Sequence, residues 1–110
     1  EIFKKYDYLC DTHTAVAVNV YEEYTKRTGD DTPTVIASTA NPYKFSASVL
    51  SAITDDIKSE DEFSMVEELF EKSKEPVPPQ LATLKGKAPR FTRVSDKEDM
   101  AQVVFDMLGI

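Results

Sequence analysis

Apolar residues recur along this chain with two kinds of spacing, and each kind predicts its own element. Phe45, Val49 and Ile53 stand four residues apart and predict an amphipathic helix after Pro42. Asn41 and Pro42 precede it as an N-cap and a first helical residue. Just upstream, Val35-Ile36-Ala37 is a short continuous apolar run with two β-branched residues, which predicts a strand buried on both faces. Ser38, Thr39 and Ala40 lie between the two, small residues that let a ligand approach the backbone. A buried strand that hands over to a helix through a small hydroxyl-bearing turn is where open α/β sheets bind ligands.

The same reading extends to both sides. Ile2, Phe3 and Tyr6 predict the last turns of a helix, and Tyr8-Leu9-Cys10 a short extended piece. Asp11 or Thr12 caps a helix that runs to about Arg27 and closes at Gly29. Its first half, Ala15 to Val18, is apolar nearly all round and predicts burial in a larger body; Glu22, Glu23, Lys26 and Arg27 make a solvated face. Downstream, Ser59 with Glu62 predicts a capping box for a helix with Phe63, Val66 and Phe70 on one face. Glu60, Asp61, Glu62, Glu67, Glu68 and Glu71 read as its solvated face, with acids favoured at the helix start. Glu75 to Pro79 is stiff and polyproline-like, and Leu81 to Leu84 a short turn of helix. Arg90 to Val94 alternates and predicts a strand. Ser95 with Glu98 predicts a second capping box, followed by a helix whose Met100, Val103, Val104 and Met107 face the core. These elements predict an α/β fold: a small parallel or mixed sheet of two or three short strands covered by about four helices.

Composition narrows the function. At 110 residues the chain is one domain at most, with a modest core. A net charge of −7 makes nucleic acid and anionic membrane poor partners. No apolar run approaches membrane-spanning length, and no signal-peptide pattern opens the chain. Cys10 stands alone, so there is neither an internal disulfide nor a metal-ligand spacing, and a reducing cytoplasm fits. The chain opens at Glu1, inside a helical pattern and without a methionine, which reads as a fragment.

Few residues could carry chemistry. His13 is the only histidine, as readily a packed hydrogen-bonding side chain as an acid or base. The Thr14 hydroxyl stands at a helix start, where it suits either capping or an anionic substrate group. The hydroxyls of Ser38 and Thr39 can bond local backbone or a ligand. No glycine-rich phosphate loop is present: Gly29, Gly86 and Gly109 each fall in a connection or at a chain end.

Two ordered motifs carry a resemblance. Thr39-Ala40-Asn41-Pro42-Tyr43-Lys44-Phe45 and Asp11-Thr12-His13-Thr14-Ala15 resemble the C-terminal part of threonine synthase, in its long bacterial and fungal form. Thr12 replaces the proline usual in that family, and the tail from Pro76 to Leu84, with Arg90-Phe91, resembles the family's C-terminal extension. The resemblance implies an enzyme that converts O-phosphohomoserine and water into threonine and phosphate with pyridoxal phosphate. It also implies the fold of the tryptophan synthase β subunit (fold type II). Residues 1–110 would then be a C-terminal fragment of the large pyridoxal-phosphate domain, its extension beginning near residue 55. Thr39 is implied as the hydroxyl at the pyridine nitrogen, with Ser38 as the fallback, and His13 and Thr14 as catalytic groups. Lys44 could meet the substrate phosphate, although such lysines are usually only solvated, and it is not the Schiff-base lysine. That lysine and the phosphate cradle would come from the rest of the polypeptide, so this chain alone would be inactive. Two rivals remain: another enzyme of the same shape, such as a hydroxyamino-acid dehydratase, and a free-standing non-catalytic interaction domain.

Overall fold

The computed structural model describes every residue from Glu1 to Ile110. Its elements in chain order are α1 (Ile2–Tyr6), α2 (Thr12–Thr28), a 3-10 turn (Pro42–Phe45) continuing into α3 (Ser46–Ile53), α4 (Glu62–Ser73), α5 (Pro79–Ala82), and a second 3-10 turn (Lys97–Asp99) continuing into α6 (Met100–Leu108). There is no strand, so the predicted sheet covered by helices is overturned and the fold is helical. The reason is pairing. A strand exists only where a second extended segment completes its ladder, and a local run of β-branched residues does not provide one. Val35 is 95% exposed, and Phe91 and Val94 also lie open to solvent, so neither predicted strand is buried. Residues 29–41 carry no regular secondary structure.

The helix starts are decided by local side chains. Asp11 caps α2, its side chain accepting from the backbone N–H groups of His13 and Thr14. Gly29 ends that helix at φ 69°, where a side chain would be strained, and its N–H donates to the Thr25 carbonyl. Asn41 caps the turn before α3 by accepting from Tyr43 N at 3.0 Å, with Pro42 behind it. The capping box at Ser59 and Glu62 does not form; Asp61 caps α4 instead, accepting from Phe63 N and Ser64 N. Ser59 is drawn elsewhere: its hydroxyl donates to Glu68 at 2.7 Å, and the backbone N–H groups of Lys58 and Ser59 donate to the same carboxylate. Glu68 is therefore buried and engaged, not part of a solvated face. The second box is also absent, since the turn before α6 starts after Asp96 with no side-chain cap.

The core lies where α3 packs on α4. It consists of Leu9, Tyr43, Val49, Leu50 and Leu69, with Phe3, Ile53, Met65, Val66, Val77 and Leu81 against it. Leu50 and Leu69 are wholly buried, and each such leucine contributes about 1.5–3 kcal/mol. The buried face of α4 thus passes through Met65, Val66 and Leu69, while Phe63 and Phe70, expected with Val66, are exposed. The Tyr43 hydroxyl donates to the Glu75 carbonyl at 2.5 Å, tying the start of α3 to the chain leaving α4. The predicted core face of α6 is corrected as well: Met100, Val104 and Met107 are each more than half exposed. Arg93 Nη2 reaches Asp106 Oδ2 at 2.8 Å and holds the segment before α6 against that helix.

The result is an open molecule. Its radius of gyration is 19.0 Å, against roughly 13 Å for a compact domain of this length. Val16 and Val20 on α2, predicted to lie in a larger body, are exposed within this chain. No helix is long and apolar enough to cross a membrane.

Candidate functional site

The start of α2 and the segment leading to α3 meet around one carboxylate. Asp11 is wholly buried. Its Oδ1 accepts from His13 N at 2.9 Å and Thr14 N at 3.4 Å, and its Oδ2 accepts from the Thr14 hydroxyl at 2.5 Å. The Thr14 hydroxyl bond holds the Asp11 carboxyl below the usual carboxylate range; burial opposes this, and the bonds from His13 and the Thr14 backbone reinforce it. His13 Nδ1 lies 3.2 Å from Asp11 Oδ1. A carboxylate only accepts, so the neutral His13 ring carries its proton on Nδ1 and leaves Nε2 as an acceptor.

Two contacts join the start of α2 to the second motif and to the serine just ahead of it. Thr14 is buried, and its Oγ1 lies 3.3 Å from Ser38 Oγ, across 24 positions of sequence. The exposed ring of His13 packs edge-on against Phe45, with centroids 5.2 Å apart. Ser38 and Thr39 are themselves exposed, and with Asn41, Lys44 and Glu75 they line a shallow polar depression. The structure thus brings Thr14 to Ser38, and places Ser38, Thr39 and Lys44 on one depression. His13 turns toward Phe45 and does not line it.

Sequence reading offered Asp11 or Thr12 as the cap; the structure gives Asp11, whose wider part that reading missed. The local signal was present, an Asp followed three residues later by a hydroxyl, but nothing in the sequence announces that the same hydroxyl will meet Ser38. The hydroxyls of Ser38 and Thr39 are accessible, and a neutral hydroxyl is chemically suited to the nitrogen edge of a pyridoxal ring. A phosphate cradle does not fit this chain. A Cβ added at Gly29, Gly86 or Gly109 would meet no heavy atom within 4 Å, so none of the three lines a close-fitting loop.

A family model described as threonine synthase, C-terminal, matches residues 14–104. The matched stretch includes Thr14, Ser38, Thr39 and Lys44, and Asp11 and His13 lie just ahead of it. No solved structure matches the chain. Because the match runs through most of its length, this chain belongs to the threonine synthase C-terminal family.

Proposed function

We propose that the chain is the C-terminal part of a cytoplasmic threonine synthase that uses pyridoxal phosphate to convert O-phospho-L-homoserine and water into L-threonine and phosphate. The observation that carries this reading is the approach of Thr14 to Ser38, the residue just ahead of the second motif, which brings the two motif regions to one place. Membership of the family supports it over a hydroxyamino-acid dehydratase and over an interaction domain. Bound pyridoxal phosphate supplies the electron sink. Thr39 meets its ring nitrogen with a neutral hydroxyl. Thr14 backs the substrate site from behind Ser38, and His13, oriented by Asp11, accepts or returns a proton at Nε2. The rest of the same polypeptide supplies the cofactor lysine and the phosphate cradle, and covers Val16 and Val20.

Thr39→Val in the full-length enzyme keeps the side chain's shape and removes its bond. A neutral hydrogen bond is worth about 0.5–1.5 kcal/mol, so cofactor affinity should fall roughly 2- to 12-fold and the bound-cofactor absorption should shift. Thr39→Ser should retain most activity. Unchanged affinity and absorption in the valine variant would reduce Thr39 to a packing residue.

A further inference from the structure

A cavity of about 210 Å³ lies where α1, α2 and α3 come together. Its floor is apolar: Leu9 and Val49 are buried, and Phe3, Val18 and Ile53 are half-buried around it. An apolar cavity of about 150 Å³ is enough to hold benzene, so this one has room for a branched aliphatic side chain. Its mouth is polar. Lys5 and Asn19 are exposed there and Glu22 partly so, and Glu1 adds a second carboxylate to the rim.

The charges of this rim are only loosely paired. Lys5 Nζ stands 3.6 Å from Glu22 Oε1, beyond the roughly 2.7–2.9 Å of a charge-assisted hydrogen bond. It also lies 4.7 Å from the centre of the Tyr6 ring. The ammonium therefore keeps donors free, and the carboxylate lone pairs. A fatty carboxylate would satisfy Lys5 but face Glu22 and Glu1 with like charge. An alkylamine would satisfy the carboxylates and leave Lys5 unmet. A zwitterion satisfies both signs, and the Asn19 amide adds a donor and an acceptor beside them.

We propose that this cavity binds a free apolar α-amino acid of about leucine's size. Its side chain fills the floor, its carboxylate meets Lys5 and its ammonium meets Glu22. Phe3 and Leu9 come to the floor from the α1–α2 side and Val49 and Ile53 from α3, so the bound molecule packs against both. It binds only the joined form and so stabilises the joining. Ser38, Thr39 and Lys44 do not line the cavity, and the proposal does not rest on the enzymatic reading.

Calorimetric titration of the full-length protein with L-leucine should give saturable binding, and leucine should raise the melting temperature. Isocaproate and isoamylamine keep leucine's skeleton, each lacking one charged group, and should bind roughly 10-fold more weakly. Lys5→Met keeps the stem and removes the charge. Leucine should bind it roughly 10-fold more weakly, while isoamylamine, which has no carboxylate to lose a partner, should bind no worse. Glu22→Gln should show the converse, weakening leucine and sparing isocaproate. Ala52→Leu sets a larger side chain in the cavity wall and should abolish binding of all three. Lys5 and Ala52 are both exposed, so neither change threatens the fold. No saturable heat from leucine, the result if another part of the polypeptide fills the cavity, would overturn the proposal. Leucine binding unaltered by both Lys5→Met and Ala52→Leu would place it elsewhere and overturn it too. Isocaproate binding as tightly as leucine would overturn recognition of a zwitterion.

Discussion

A buried carboxylate needs its lone pairs met, and Asp11 recruits the two residues after Thr12 to meet them. Its capping role was legible in the sequence because a cap and its recipients lie within three residues of each other. The same holds for Asn41 before Pro42 and for Gly29. The Thr14–Ser38 contact was not legible, because nothing local encodes a pair 24 positions apart. Thr14 turns out to secure the cap without being the cap. Thr14→Ala removes a hydrogen bond to a buried charge, a loss of about 1.5–3 kcal/mol, and should lower the melting temperature; Thr14→Ser should restore it. His13 is exposed, so His13→Asn should leave melting nearly unchanged while turnover of the full-length enzyme falls. Melting curves and initial rates for the three variants decide the matter. Activity that merely follows stability would make this helix start a scaffold.

Among the elements, Glu68 shows why a patterned reading of α4 fell short. Read along its own helix it is one acid in an acidic run, yet its donors, Lys58 and Ser59, lie ten and nine residues upstream. The two strands failed for a related reason. Val35-Ile36-Ala37 and the 90–94 segment have the residues of a strand, but pairing depends on a partner segment and neither has one. Asp11, Asp61 and Glu68 all have carboxyl groups held below their ordinary range, in each case first by a hydroxyl: Thr14, Ser64 and Ser59 respectively. Such a depressed group stabilises the fold fully above its unfolded value, about 3.9 for aspartate and 4.3 for glutamate. That contribution disappears as pH falls through the lower folded value. The helical circular dichroism signal should therefore hold from about pH 7 to 5 and decline below about pH 4. Glu68→Gln should lower the melting temperature at neutral pH and make the acid transition shallower. An acid transition identical to that of the unaltered chain would mean that Glu68 takes no part in it.

Taken as a whole, the molecule spreads over 57 × 35 × 23 Å and buries few residues, with valines on α2 and the apolar residues of α6 left open. On the proposed function, the cofactor lysine and phosphate cradle come from the rest of the polypeptide. The isolated chain should therefore neither hold pyridoxal phosphate tightly nor release phosphate from phosphohomoserine; a stable visible absorbance after gel filtration would contradict this. The irregular residues 29–41 matter at this scale too. From α1, α2 and the piece between them, only Leu9 enters the buried core, with Phe3 against it. One buried leucine contributes about 1.5–3 kcal/mol, less than the roughly 4–15 kcal/mol that two free bodies lose on joining. What keeps the two halves together is the covalent tether, which gives them an effective concentration on the order of millimolar. If an engineered protease site between Asp31 and Thr34 is cut in the isolated chain, the halves should elute separately without denaturant. Residues 31–34 contribute no side chain to the hydrogen bonds around Asp11, yet cutting there would part Thr14 from Ser38 as surely as a substitution at either.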